Sequence, residues 1–124
     1  MERIHVCCVP VSPWRIEPAH RTEMVTQQLF GETCTIIDQA EDHWVKAKCS
    51  YDAYEGWCQK SHLCQVSHPL DFTINDLSAD YLSKVEFNGV SMFIPMGCSL
   101  QAFEDGKAKW EDNLVNFQGK KFTP

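Results

Sequence analysis

Hydrophobic and polar residues alternate along much of the first half of this chain. The clearest case is the run 44–49, in which Val45, Ala47 and Cys49 share one face and two lysines occupy the other. This period of two is typical of a strand with one buried face. Apolar and β-branched runs predict further strands at 4–9, 24–29, 33–38 and 56–59. Residues 60–63 are typical of a single helical turn that closes a small barrel.

The second half shows the same kind of pattern after a polar segment. Residues 67–80 are rich in Asp, Asn and Ser, which predicts a linker with one helical turn at 74–77. Asn88-Gly89 and Asp105-Gly106 are strong hairpin signals. The strands predicted around them are 81–87, 90–94, 107–110 and 116–122, with a further short segment at 99–103. No segment has a sustained helical period, so the sequence predicts an all-β chain.

Composition narrows the functional classes. The chain has 124 residues, of which 44% are hydrophobic, and this content supports a packed core. Its net charge of −6 argues against nucleic acid or an anionic membrane as the main partner, since both require a basic footprint. No apolar run is long enough for a membrane span. The first ten residues lack the pattern of a signal peptide, which predicts a cytoplasmic protein unless a leader has been removed.

Seven cysteines are many for this length. Most of them occupy strand positions that favour a small apolar side chain, so we expect buried or half-buried reduced thiols. Cys58, His62, Cys64 and His68 are metal-ligand types at close spacing, but the tight Cys-x-x-Cys pairs of structural zinc sites do not occur. A cysteine nucleophile paired with a histidine is also disfavoured, because no cysteine has an activating setting. We expect no metal and no other cofactor.

One ordered set of motifs resembles a known family. Its members are Arg15-x-Glu17-Pro18, Glu23-Met24-Val25-x-Gln27, Leu29-x-Gly31-Glu32, Trp44 and Tyr54-x-Gly56-Trp57. In this order they resemble the first bacterial SH3-like domain of NlpC-type cysteine endopeptidases, which hydrolyse murein peptides. A later run, Phe93-Ile94-Pro95-Met96-Gly97-Cys98-x-Leu100 with Glu104-Asp105-Gly106, looks like the second, smaller SH3-like domain of those proteins. Ala53 departs from the pattern, because glycine is common at this turn.

The resemblance implies a domain arrangement. It places an SH3-like barrel at 1–66, a linker at 67–80 and a second small SH3-like unit at 81–124, leading toward a catalytic domain. The nucleophile motif of that domain is Asp-Cys-Ser-Gly. Cys49-Ser50 and Cys98-Ser99 are the two Cys-Ser pairs here, and neither has Asp before it or Gly after it. We therefore expect this chain to be the non-catalytic part of such an enzyme.

The resemblance also implies a binding site. By position, Tyr54 together with Glu23 or Glu17 would hold the free amine of a murein peptide that begins L-Ala-γ-D-Glu. A carboxylate and a phenol suit an ammonium group, because charge-assisted hydrogen bonds are the stronger kind. The alternative is a stand-alone module that binds cell-wall peptide or a protein partner. Trp44 and Trp57 are expected in the core or at the barrel rim, and Trp14, beside two prolines, on an exposed loop.

Overall fold

The computed structural model describes residues 3–41, 43–67, 70 and 75–123. Their regular structure is all-β, as predicted, with one turn of 3₁₀ helix at Lys60–His62. The strands are β1 Ile4–Cys7, β2 Val11–Arg15, β3 Met24–Leu29, β4 Thr33–Gln39, β5 Trp44–Cys49, β6 Glu55–Gln59, β7 Leu63–Gln65, β8 Leu77–Ser78, β9 Leu82–Phe87, β10 Val90–Pro95, β11 Lys107–Trp110, β12 Asn113–Gln118 and β13 Lys121–Phe122. Within these ranges, no helical segment has the length and apolarity that a membrane crossing requires.

The first seven strands form one curled, SH3-like sheet in the order β3-β2-β6-β5-β4-β1-β7. β4, β5 and β6 make an antiparallel meander, and β2 and β3 make a hairpin. The hairpin joins the meander where Arg15 pairs with Trp57. The 3₁₀ turn then directs the chain into β7, which pairs with β1.

β2 differs from the sequence prediction, which placed Trp14 on an exposed loop. That prediction is wrong: Trp14 lies in a strand and its side chain is 0% exposed. Proline lacks the N–H group that a strand residue donates to its neighbour. Pro13 is tolerated in β2 because this strand pairs with β6 at Arg15, so Pro13 itself is not needed as a donor on that side. Ser12 and Trp14 share the inward face of β2. Because Ser12 is polar, the sequence of β2 does not show the alternation of hydrophobic and polar residues that would predict a strand.

The interior of the curled sheet, which we call the barrel core, is built from buried side chains of β2, β4, β5, β6 and β7. Its buried members are Trp14, Cys34, Val45, Ala47, Cys58 and Leu63. In β5, Val45 and Ala47 point into the barrel core, as the alternation at 44–49 predicted. Trp44 is also buried, at 7% exposure, at the start of β5, as expected for a core or rim residue.

The second half forms a smaller β unit. Its four-stranded sheet has the order β10-β9-β12-β11, and a two-stranded sheet pairs β8 with β13. Asn88 and Gly89 turn the β9–β10 hairpin with positive φ angles of 52° and 81°, as the hairpin signal predicted. Residues 99–103 contribute one isolated bridge, Leu77 to Ser99. β12 begins earlier than the predicted strand 116–122, and β13 takes the end of that range.

A second apolar cluster, which we call the shared core, joins the two sheets. Its buried members are Val6, Phe30, Cys64, Val66, Val85, Ile94, Cys98, Ala102, Trp110 and Val115. Phe30, from the β3–β4 turn, lies with its ring centroid 5.4 Å from that of Trp110 and 6.3 Å from that of Phe103. The second unit therefore packs its core against the back of the first sheet.

The β3–β4 turn touches the second unit through its backbone as well. Gly31 adopts φ +84°, and a Cβ atom built on it would lie 2.0 Å from the carbonyl oxygen of Ser99. Only glycine permits both this left-handed conformation and so close an approach. The glycine of the Leu29-x-Gly31-Glu32 motif is thus required where the two units meet.

The predicted linker 67–80 includes β8, which pairs with β13 near the end of the chain. The helical turn predicted at 74–77 is wrong over the described residues, since 75 and 76 are not helical and Leu77 begins β8; Ile74 lies outside the described residues. The domain boundaries at 66 and 80 stay predictions.

Candidate functional site

The β2–β3 loop carries two of the three side chains predicted to bind an amine. The Ile16 N–H donates to the Glu23 carbonyl at 2.8 Å, so the first and last residues of the loop extend the hairpin. Thr22 Oγ1 donates to the Ala19 and Glu17 carbonyls at 2.9 and 3.1 Å. The loop is ordered by its own backbone, and these bonds use the carbonyls of the two glutamates rather than their carboxylates.

The middle of this loop is anchored on the sheet by His20. Its ring contacts Trp44 edge-on, with centroids 4.9 Å apart. Its Nε2 lies 2.9 Å from the side-chain nitrogen of Gln59 in β6. The loop therefore folds over the start of β5 and the end of β6.

The three predicted site residues lie in two different connections of the first sheet. Glu17 and Glu23 are exposed in the loop, and Tyr54, just before β6, is 49% exposed. His20, in the middle of the loop, contacts Trp44 and Gln59, which pair at the end of the β5–β6 hairpin opposite to Tyr54. The hydrogen bonds of the described residues join none of these three side chains to another. Their arrangement leaves all three accessible to a ligand.

Tyr54 is positioned by a tight β5–β6 connection. Its N–H donates to Asp52 Oδ1 at 3.0 Å, and its carbonyl accepts the Cys49 N–H at 2.8 Å. Ala53, between them, adopts φ +60°. This left-handed conformation is unfavourable for alanine, which explains why glycine suits this turn in the related motif. The turn is strained where it presents the tyrosine.

Gly56 of the Tyr54-x-Gly56-Trp57 motif has a structural role. A Cβ atom on Gly56 would lie 2.9 Å from Cβ of Trp14 and 3.2 Å from Val25. The absence of a side chain lets the Trp14 indole pack beneath β6. Trp57, in contrast, is only half-buried. The motif thus combines a packing glycine with partly exposed aromatic residues on either side.

A groove that the sequence did not predict lies between the first sheet and the second unit. Its volume is about 660 Å³, within the range of small-ligand sites. The lining residues are Glu32, Thr33, Cys49, Ser50, Tyr51, Asn75, Leu77, Gly97, Ser99 and Gln101. Tyr54, Glu23 and Glu17 are absent from this set, so the groove is separate from the predicted site.

Glu32 is the one ionisable carboxylate among the described residues that line this groove. Burial raises the pKa of Glu32, the N–H of Leu29 opposes that rise, and the charge of Asp52 adds to it. Oε1 accepts the Leu29 N–H at 2.6 Å. The sequence predicted that Glu32 lies in a turn. Its place in the groove depends on residues between 75 and 101, which form the other side of the groove and which no local sequence pattern connects with Glu32.

A smaller cavity of about 440 Å³ lies within the second unit and is bordered by Asp76 and Lys121. Asp76 accepts hydrogen bonds from Thr123 Oγ1 at 2.5 Å and Lys121 Nζ at 3.2 Å, and these hold the pKa of its carboxyl below the usual value. This carboxylate already has a cationic partner. It therefore offers less to a ligand than Glu32 does.

The cysteines are placed as small apolar side chains. Five of the seven are buried and two are half-buried, which confirms the predicted burial. Burial raises the pKa of the Cys58 thiol and of the Cys98 thiol to about 12, so neither forms a nucleophilic thiolate at neutral pH. Cys49 and Cys98, of the two Cys-Ser pairs, both have raised pKa values, with burial as the main cause.

The ligand types weighed as a metal site do not converge. Cys58 lies in the barrel core and Cys64 in the shared core, while His62 Nδ1 lies 2.9 Å from Ser12 Oγ. His68 lies outside the described residues. In the ranges that the structure describes, no three His, Cys, Asp or Glu side chains lie close enough together to hold a metal ion.

Comparison with protein families identifies the kind of domain to which the first sheet is similar. Residues 15–63 match the family described as the bacterial dipeptidyl-peptidase SH3 domain. Over this range the chain is similar to a bacterial SH3 domain. The match begins at the end of β2, contains the β2–β3 loop and Tyr54, and ends at the first residue of β7. The predicted bacterial SH3-like character is thereby confirmed.

The matched range contains all the predicted site residues. Glu17, Glu23 and Tyr54 all fall inside it, as does Glu32. β1 and the second unit fall outside it, although both contribute to the shared core. No curated protein matches the chain.

Proposed function

We propose that this chain is the non-catalytic, substrate-gating region of an NlpC-type γ-D-glutamyl–diamino-acid endopeptidase. In this role Tyr54, Glu23 and Glu17 hold the free N-terminal amine of a murein peptide of the L-Ala-γ-D-Glu type. The reacting cysteine belongs to a C-terminal peptidase domain of the parent protein. The observation that carries the proposal is the bacterial SH3 match over a range that contains the exposed acids Glu17 and Glu23 and the exposed Tyr54.

The chemistry of the three side chains supports an amine as the ligand. Two carboxylates can accept hydrogen bonds from an ammonium group, and the phenol oxygen can accept a third. An acetylated or polymer-linked amine would lose the charge and two of its three N–H donors. Selection of the free amine would favour released cell-wall peptides over intact polymer.

The raised thiol pKa values support a non-catalytic role. A cysteine peptidase requires a thiolate next to a base, whereas Cys49 and Cys98 are stabilised as neutral thiols. The two thiols lie in packed surroundings and serve the cores of the chain. For this reason the proposal assigns catalysis to a C-terminal peptidase domain of the parent protein.

The gene provides the first test. Reading the frame beyond the codon for Pro124 should reveal an Asp-Cys-Ser-Gly motif within the next domain, and an immediate stop codon would overturn the gating role. In the full-length enzyme, Tyr54→Phe and Glu23→Gln should each lower kcat/KM for a peptide with a free amine. They should not alter it for the N-acetylated peptide, and equal losses for both peptides would contradict amine recognition.

A stand-alone binding module is the second candidate, favoured by the fixed, exposed loop that His20 anchors. It predicts saturable binding of a murein peptide to the isolated chain. The gating role predicts weak or no binding, because the peptidase domain supplies half of the site. Isothermal titration of L-Ala-γ-D-Glu into the isolated chain separates the two.

A further inference from the structure

The groove between the two units contains a carboxylate, Glu32, that forms no ion pair with another described residue. None of the described residues that line the groove is basic. Glu32 is half-buried and has lost hydration, and within the described part of the chain its carboxylate accepts one hydrogen bond, from the Leu29 N–H. It is therefore disposed to accept a cation from a ligand.

The rest of the groove suits the donors of an ammonium group. Ser50, Ser99 and Asn75 line the groove together with Glu32 and carry hydroxyl and amide oxygens. Tyr51 lies at the rim with 92% of its side chain exposed, and its ring can cover a bound cation. Asp52, next in sequence, is close enough to act on Glu32 electrostatically and makes the potential more negative.

The dimensions of the groove limit the ligand to a small molecule. A volume of about 660 Å³ is large enough for a short peptide but not for a folded partner. The lining is mostly uncharged and polar, so a ligand with one positive charge and several amide groups complements it.

We infer that the inter-unit groove is a second binding site, which takes the primary ammonium group of a short peptide on Glu32. This site lies beyond the proposed function, since Glu17, Glu23 and Tyr54 do not line it. A peptide bound here contacts both units at once and stabilises their packing.

The test uses tri-L-alanine as the probe and N-acetyl-tri-L-alanine as its uncharged counterpart. Nitrogen-15 NMR of the whole chain at neutral pH should show saturable shifts at the amides of Thr33, Ser50, Gly97 and Ser99. Acetylation should weaken the affinity by about tenfold, because it replaces a charge-assisted hydrogen bond by a neutral one.

Glu32→Gln is the decisive variant. Glutamine keeps an oxygen for the Leu29 N–H and removes only the charge, so the turn is preserved. We expect the tripeptide affinity to fall by about tenfold, to the level of the acetylated probe. Glu41→Gln, at an exposed acid in the β4–β5 turn, is the matched control and should leave the affinity unchanged.

The two sites are distinguishable by their variants. Glu23→Gln and Tyr54→Phe should leave the groove shifts intact, even if the proposed function fails. Shifts confined to the β2–β3 loop and Tyr54 would overturn the groove site and support the proposed one. Groove shifts that persist unchanged in Glu32→Gln would also overturn the assignment of the ammonium to this carboxylate.

Discussion

The barrel core and the shared core are built from the same kinds of side chain but by different rules. The barrel core is filled by alternate residues of neighbouring strands in one sheet. The shared core is filled by a turn residue, Phe30, and by strands that are distant in sequence, such as those carrying Val85 and Trp110. The difference shows that the second unit completes the outside of the first sheet.

β1 shows how one strand serves both cores. Val6 belongs to the shared core, while Cys7, on the opposite face, interacts with Cys34 and Cys58 toward the barrel interior. Both side chains are 0% exposed. A strand covered on both faces has no polar alternation, which accounts for the continuous apolar run at the start of the chain.

The largest expected effect comes from emptying the shared core at its centre. Phe30→Ala should lower the free energy of unfolding by about 3–5 kcal/mol, because the ring is fully buried against Trp110 and Phe103. Urea unfolding measures the loss. Phe93→Ala is the matched control: this ring on β10 is 58% exposed, so its removal should cost far less. A loss below about 1 kcal/mol for Phe30→Ala would contradict a core shared by both units.

The backbone contact between the units can be tested with two glycines. Gly31→Ala forces a methyl group into the Ser99 carbonyl in a left-handed conformation, and we expect a loss of about 2–4 kcal/mol. Gly89→Ala has a similar φ, +81°, but open space around it, so backbone strain alone should cost about 1 kcal/mol. Thermal unfolding of both variants compares them. Equal losses would mean that the turn does not press on the second unit.

Sequence reasoning identified the parts that depend on neighbouring residues. The strands at 24–29 and 44–49, the Asn88-Gly89 hairpin and the 3₁₀ turn follow from local patterns, and the structure confirms them. The exposed acids and Tyr54 were selected by resemblance, and the family match includes their positions. Their role as a binding site stays a prediction.

The features that sequence reasoning missed depend on contacts between distant segments. Trp14 is buried because Gly56 leaves room for it beneath β6, a relation that spans about forty residues of chain. Pro13 makes β2 hard to predict from the sequence, because proline is rare inside strands. It is permitted here because the pairing of β2 with β6 is short. The groove at Glu32 forms because the second unit packs on the first. The periodicity of hydrophobic residues along the sequence does not predict this packing.

A smaller effect is expected at the turn that presents Tyr54, remote from the shared core. Ala53→Gly relieves the φ of +60° and should raise the free energy of unfolding by about 0.5–1 kcal/mol. Ala19→Gly, at an exposed loop position whose φ is not positive, is the control and should give no gain. Hydrogen exchange of the Ala53→Gly variant then compares the two cores. If the two cores unfold together, the backbone amide of Val115 in β12 becomes more protected from exchange along with that of Val45 in β5.

The smallest effect concerns pH and the barrel alone. Burial lowers the pKa of His62, and the nearby His20 lowers it further, so the folded state favours the neutral ring beside Ser12. A lowered pKa means that this contribution to stability is complete above the ordinary histidine value of 6.5 and is lost as pH falls through the folded pKa. Because the ring is half-exposed, we expect less than about 1 kcal/mol. The same sign applies to His5, whose pKa burial also lowers.

His62→Gln should therefore reduce, and not abolish, the fall in Tm between mildly basic and mildly acidic buffer. An unchanged pH dependence would mean that the Ser12–His62 contact does not require a neutral ring. The loss of stability that remains at acidic pH in the His62→Gln variant should also appear in hydrogen exchange. If the shared core couples the two units, this loss is equal in β5 and β12, although the second unit contains no histidine.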